Sequence, residues 1–333
     1  MKLLISCVGA YNDSGIGSGG LLLADTKNRK IDVIDHIDCT GLSVYKNKVF
    51  RYARGIRKLV SFNKDGLTGS YNLQRAKDIH DVKVSNQEIK VVSTGSNSIL
   101  VYDEWGELKS KFNPGGTDDA WHLNCIEEYQ GNLYFTAFGN FQTHREWNGK
   151  AKESGFIYCV NQKKAIVEKL SGPHNPRVIN KKWWVCNSHD GTLNIYHLEK
   201  GELEHTIDLG GFTRGLLQTK DAVWVGVNAN RKAVGDTSGK IVAVNPTTYQ
   251  LEDEIKLPMP EVYDIIEIDN SFYNSILADK EKFSLEAKES KTEVENFVNQ
   301  ISLMEDQLIE LRNRLRKQSF DQRIRRKLKS FLK

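Results

Sequence analysis

Three histidines stand at comparable points of the chain: His80, His122 with Asn124 close behind, and His174 with Arg177 close behind. Arg214 and Asp264 follow. Neutral imidazole suits Zn, Fe, Mn or Ni, so three such rings brought together would hold a divalent transition metal with positions open for substrate, and Asp264 or Glu261 would complete the set. That centre would serve a metal-dependent lyase, epimerase or hydrolase. The same residues offer a second chemistry without metal. Arg177, Arg214 and the histidines would bind a carboxylate or phosphate, while Asn124, Asn187 and Asn228 read hydroxyl groups. A third reading gives them no ligand: they satisfy backbone groups where strands crowd an axis, on a scaffold that binds proteins.

Each of these residues needs an element to aim it, and the elements repeat. One unit runs from His80-Asp81-Val82-Lys83-Val84 through Glu88-Ile89-Lys90-Val91-Val92 and Ile99-Leu100-Val101-Tyr102-Asp103 to a short strand over 108–112. Four short strands in a unit of about 40 to 50 residues are the signature of a propeller blade. First strands begin near 41, 80, 122, 174, 213 and 263, and six third strands end mostly in Asp or Asn, which suit the following turn. The earliest third strand is at residue 20, before any first strand, so the ring has to close across the termini. The spacing therefore predicts an all-β, six-bladed β-propeller over 1–275. Tyr263 to Ile268 would supply the inner strand of a blade completed by 3–8, 21–25 and 31–37, which removes a free edge. In this topology the entry to each first strand and the exit from each second strand share one face. His80, His122, Asn124, His174, Arg177, Asn187, Arg214, Asn228 and Asp264 are thereby predicted to converge on the channel mouth as the ligand-binding set.

Other motifs fail on context. Gly15-Ile16-Gly17-Ser18-Gly19-Gly20 fits a dinucleotide fingerprint but precedes a strand without a βαβ unit, and is expected to be a loop between strands. Trp183 and Trp184 suggest a sugar-stacking platform, of which alternation leaves at most one available. No CxxC pair, nucleophile elbow or HExxH helix is present. The five cysteines are odd in number, widely spaced and set in apolar strand patterns, which points to reduced core residues and a cytoplasmic location. The start, Met1 to Cys7, imitates a lipoprotein box, but its apolar stretch is too short for a signal and reads as a strand. No apolar run approaches the length of a membrane span.

Several pieces together resemble a bacterial β-propeller family known as a conserved domain of unknown function. They are Asp78-Ile79-His80-Asp81-Val82, His122-Leu123-Asn124, Phe135-Thr136-Ala137-Phe138-Gly139, His174-Asn175-Pro176-Arg177, Asn187-Ser188, Phe212-Thr213-Arg214-Gly215-Leu216 and Val262-Tyr263-Asp264. The family pattern has Ser where Asn175 stands and Gly in place of the run Ser188-His189-Asp190. The resemblance covers roughly 78–268 and implies the same site location without naming a substrate.

Beyond a linker over 276–290 the composition turns helical. Val294, Phe297, Ile301, Met304, Leu308, Leu311 and Leu315 make a heptad seam, a coiled coil over 291–316 that predicts a homo-oligomer. Residues 1–270 carry 33 basic and 33 acidic side chains, whereas 312–333 carry 10 and 1, so the net charge of +4 comes from the tail and the globular part offers no electrostatic footprint for nucleic acid. Over 317–333, Phe320, Ile324, Leu328 and Phe331 fall in helical phase among Arg and Lys. Such a basic amphipathic helix suits an anionic membrane surface. A neutral propeller held there would act peripherally on the inner face of the membrane, binding a small polar or anionic, sugar-like ligand, and would work with polysaccharide-assembly proteins.

Overall fold

Runs of β-branched and aromatic residues, broken by turns rich in Asn, Asp and Gly, each pair with the next run along the chain, and after four strands the sheet is complete. A computed structural model of the chain describes residues 1–9, 16–229 and 238–286. Within them lie six four-stranded antiparallel sheets, the six blades anticipated from the repeat. Inner strands run over Glu261–Ile268 in the first blade, then Cys39–Tyr45, Ile79–Ser85, Leu123–Tyr129, Pro173–Ile179 and Phe212–Gln218 in the second to sixth. The first blade closes the ring across the termini. Lys2–Val8 pairs with Glu261–Ile268 on one side and with Ile16–Asp25 on the other, and Lys30–Ile37 completes the sheet. Lys2 stands opposite Ile268 and Ile5 opposite Ile265.

Burial falls from the axis outward. Val223–Asn228, the second strand of the sixth blade, is buried throughout, whereas Leu251–Lys256 at its outer edge is mostly exposed. Apolar faces of neighbouring blades meet in six clusters, one for each junction around the ring. Trp183 and Trp184 are both spent on this packing, at 1% and 0% exposure, so neither forms a sugar platform. The glycine run also differs from expectation: Ile16–Asp25 is strand, with Gly19 and Gly20 pressed so close to Cys7, Asp35 and Asp38 that a Cβ would collide. All five cysteines are buried and unpaired.

Every inner strand is bulged at the same level. The register slips between Cys39 and Leu42, Ile79 and Asp81, Leu123 and Ile126, His174 and Arg177, Arg214 and Leu216, and Val262 and Asp264. A bulge leaves residues outside the ladder. Here side chains of the adjoining blade take up the freed groups. Asp264 accepts from the Leu42 amide at 3.1 Å, Asp81 from Ile126 at 2.8 Å and Asn175 from Gly215 at 2.8 Å. These reach from the first, third and fifth blades to the second, fourth and sixth. Thr40 donates to Ile79 O and Asn228 to Val262 O, tying two further junctions, and Ser188 donates to Thr213 O across the one Asn175 already spans.

After the closing strand, Asp269 caps helix α1, Asn270–Ala278, by accepting from the Phe272 amide at 2.7 Å. Phe272, Tyr273, Ile276 and then Phe283 dock on the cluster between the first two blades, and the compact unit extends from Met1 to Ser284. No described helix is long and apolar enough to cross a membrane. The coiled coil over 291–316 and the basic helix over 317–333 lie outside the described residues.

Between the first two blades, Arg51 places Nη1 and Nη2 each 2.6 Å from the Asp35 carboxylate, with both side chains at 0% exposure. Removing one member of a fully buried pair strands the other's charge, at a cost of about 3–5 kcal/mol. Arg51→Ala should lower the urea unfolding free energy by that amount. Arg29→Ala, which breaks an exposed pair with Asp253, should change it by less than about 1 kcal/mol. Equal effects would show that Arg51 does not hold the junction.

Candidate functional site

The bulges turn the residues they displace toward the axis. His80, Asn124 and Tyr263 each lie between the two registers of their inner strand. His80 Nδ1 lies 2.9 Å from Asn124 Oδ1, and the Asn124 amide donates in turn to His122 O at 3.1 Å. That second bond fixes the amide, so the oxygen faces His80. The other ring nitrogen of His80 lies 3.3 Å from Asp78, which is itself 3.1 Å from Arg54. Both nitrogens of His80 therefore lie beside side-chain oxygens, Nδ1 beside Asn124 and Nε2 beside Asp78.

The His122 ring stands edge-to-face with His80, centroids 5.1 Å apart. Its Nδ1 lies 2.8 Å from Asp119, whose other oxygen is 3.4 Å from Arg145. Consecutive blades thus repeat one arrangement, Arg–Asp–His, with Asp two or three residues before the histidine. The segment from Phe138 to Ser154, between the second and third strands of the fourth blade, brings Trp147 to 4.1 Å and Phe138 to 4.4 Å from the His122 ring. Trp147 is fastened by donating its indole N–H to Asp119 O at 3.1 Å.

His174 is fully buried, with Nδ1 2.7 Å from Ser188 Oγ and 3.0 Å from Gly172 O. Ser188 gives its own proton to Thr213 O, so His174 carries the proton on Nδ1. Burial, and then the Arg214 charge, hold His174 well below the ordinary histidine range, and burial pulls His122 down to about 4 against the opposing pull of Asp119. Both are neutral rings that offer Nε2 as an acceptor. At Asp78 burial acts upward, but the hydrogen bond from His80 and the neighbouring cationic groups outweigh it and keep the carboxylate below its usual range.

Arg214 sits over the Tyr263 ring at 3.4 Å and binds Glu261 at 3.1 Å. Past the bulges, Arg177 binds Glu127 at 3.1 Å and approaches Asp264 at 4.0 Å, with Asn175 3.4 Å from the same carboxylate. Burial, reinforced by repulsion from Asp264, raises Asp81 in this layer to about 7. The predicted set thus divides. His80, His122 and Asn124 form one contact group at the mouth, and His174 joins it through Phe138. Arg177 and Asp264 belong to the layer beyond the bulges. Asn187 and Asn228 hold backbone, Asn187 at the Ser171 amide and Asn228 at Val262.

The three rings are not drawn together as one ligand set in the described arrangement. Both nitrogens of His80 are taken, and the Phe138 ring meets His122 and His174 together, at 4.4 and 5.6 Å. Among the described residues no group of three His, Cys, Asp or Glu is arranged to hold a metal ion. Asp78, Asp119, Tyr263 and Trp147 are the site residues that the sequence reading passed over. The repeated Asp-then-His spacing was the available signal for the first two; Trp147 lies in an irregular segment and gave none.

The histidines carry a pH signature. The depressed value of His122 means that, as pH falls from about 6.5 toward 4, the unfolded chain takes up a proton that the folded protein refuses, so stability falls with acidification. This single residue accounts for a loss on the order of 3 kcal/mol. Urea midpoints across that range should drop more steeply for the wild-type protein than for His122→Gln; parallel slopes would contradict the buried neutral ring.

The sequence profile of the family described as "Domain of unknown function (DUF4915)" matches residues 68–253, more than half of the chain. No curated protein matches. Among solved structures, the chain is similar to one titled a nidogen/laminin complex, at 10% identity, 80% of this chain and 97% of that one covered, and a TM-score of 0.58. It is also similar to a protein of unknown function from Bacteroides caccae, at 12% identity, 79% and 97% coverage and a TM-score of 0.56. A luciferin-regenerating enzyme follows at 13% identity, 68% and 78% coverage and a TM-score of 0.50. At such identities the likeness concerns the propeller fold alone. With its blades, bulges and histidine-lined mouth, the chain belongs to the DUF4915 family, a domain of unknown function.

Proposed function

We propose that the channel mouth binds a small, uncharged, polyhydroxylated ligand of the sugar type. The observation that carries this reading is the commitment of the arginines. Arg214 is paired with Glu261, Arg177 with Glu127, and Arg54 with Asp78, so the cations that would attract a phosphate or carboxylate are already neutralised. What remains is suited to hydroxyl groups: His122 is a neutral acceptor, His80 is a donor, and Asn124 fixes their geometry. Trp147 and Phe138, beside His122, supply the aromatic face against which the C–H side of a sugar ring packs. Work on membrane-linked glycan is the wider role this reading suggests, with membrane binding expected of the sequence over 317–333 and oligomerisation of that over 291–316.

Ligand-induced stabilisation is the direct test, because a ligand that binds only the folded state raises the melting temperature with its concentration. Neutral monosaccharides and polyols should raise it, and Trp147→Ala should weaken that binding at least tenfold. Stabilisation by phosphate or citrate alone would make this an anion site and overturn the reading.

A further inference from the structure

We propose that His80 and His122 form a metal-free acid–base pair that enolises a hydroxy-carbonyl ligand at the channel mouth, an inference that rests on the sugar-binding reading. The geometry supplies the two roles. His80 is enclosed by oxygen acceptors on both sides, Asn124 and Asp78, so it is a donor at each nitrogen. His122 donates its Nδ1–H to Asp119, which leaves the Nε2 lone pair as the acceptor of the ring. Two imidazoles 5.1 Å apart are therefore held in opposite states by their surroundings, and titratable neighbours driven apart in this way mark the acid and the base of a proton-transfer site. Each is oriented by a carboxylate that an arginine holds in turn, Arg54 behind Asp78 and Arg145 behind Asp119. Both rings remain reachable, at 10% and 13% side-chain exposure.

The step balances without any further reactant. His122 Nε2 removes the proton from the carbon beside the ligand carbonyl. The C–H electron pair becomes the C=C bond of an enediol, and the carbonyl π pair moves to oxygen, which takes a proton from His80 Nε2. The His80–Asp78 contact is the longer of the two at 3.3 Å, and Asp78 is part-exposed, so a ligand oxygen enters beside it. His122 then returns its proton to the former carbonyl carbon while His80 recovers one from the neighbouring hydroxyl. The net reaction interconverts an aldose and a ketose, with nothing oxidised or reduced overall. The chemistry places this chain among proton-transferring isomerases and gives the histidines a role that needs no metal.

The experiment follows ligand binding and proton exchange in one sample. Full-length protein is incubated in D2O with D-glucose, D-xylose or D-glyceraldehyde, and with the matching ketoses, in the presence of EDTA. Proton NMR reads saturation transfer for binding and loss of the C2–H signal for exchange. The expected result is exchange with at least one sugar that binds, reduced at least 100-fold in His80→Gln and in His122→Gln that keep the wild-type circular dichroism. Binding without exchange by the wild-type protein overturns the acid–base pair and leaves the sugar site standing. Neither binding nor exchange overturns both. Exchange that EDTA abolishes and added Zn or Mn restores, or that survives in both variants, also overturns the pair. The wild-type outcomes stand even if a variant does not fold.

Discussion

The ring of bulges at the top of the six inner strands is the constraint on which the rest of this protein depends. Six strands converging on one axis cannot all continue a regular ladder to the rim, and each resolves the crowding by slipping its register at the same level. The slip frees backbone amides in a place that water does not reach, where an unmet donor would cost about 1–3 kcal/mol. Asp264, Asp81 and Asn175 meet that need from alternate blades, so the ring is sewn together in pairs, and these polar side chains are structural although they lie on the axis. The same slip takes His80, Asn124 and Tyr263 out of the strand pairing and leaves them packed at the axis. Closure and site are thus consequences of one backbone irregularity.

Electrostatics separates the two layers that the bulges create. Beyond them, two buried acids, Asp81 and Asp264, share the neighbourhood of Arg177, and burial favours the protonated form of each. On the mouth side Arg54 pairs with Asp78 and Arg145 with Asp119 beside the neutral His122 ring, so the arginines there are already paired. An anion finds no unpaired arginine there, whereas hydroxyl groups find donors and acceptors in fixed places. The Trp147 segment closes the arrangement by bearing on His122 while its indole holds the backbone of Asp119, so the aromatic wall and the Asp–His contact are fixed together.

Much of this was legible in the sequence. The out-of-order third strand at residue 20 required closure across the termini, and strand periodicity placed all six inner strands within about two residues, because both follow from apolar alternation along a buried strand. A repeat tells which residues share a level and says nothing of ring orientation: the partners of His80 and the wedge of Phe138 are matters of rotamer and bulge. Arg214 and Arg177 looked like anion ligands in the sequence because Glu261 and Glu127 lie 47 and 50 positions away along the chain, and only the folded register brings them together. Bulges leave little trace in composition, so the residues they re-aim, Tyr263 above all, could be placed on a strand but not at the site. The Trp183-Trp184 pair shows the opposite error, in which a suggestive motif was simply core.

Site and fold meet in the two neighbouring histidines that the bulged ring sets 5.1 Å apart, each beside its own carboxylate. Nitrogen-15 NMR of the imidazole side chains, assigned through His80→Gln and His122→Gln, reads their hydrogen-bonding states directly. Under the acid–base proposal protons are expected on both nitrogens of His80 and, near neutral pH, on Nδ1 alone for His122. Two rings in the same state, or a His122 that carries its proton on Nε2, would contradict it.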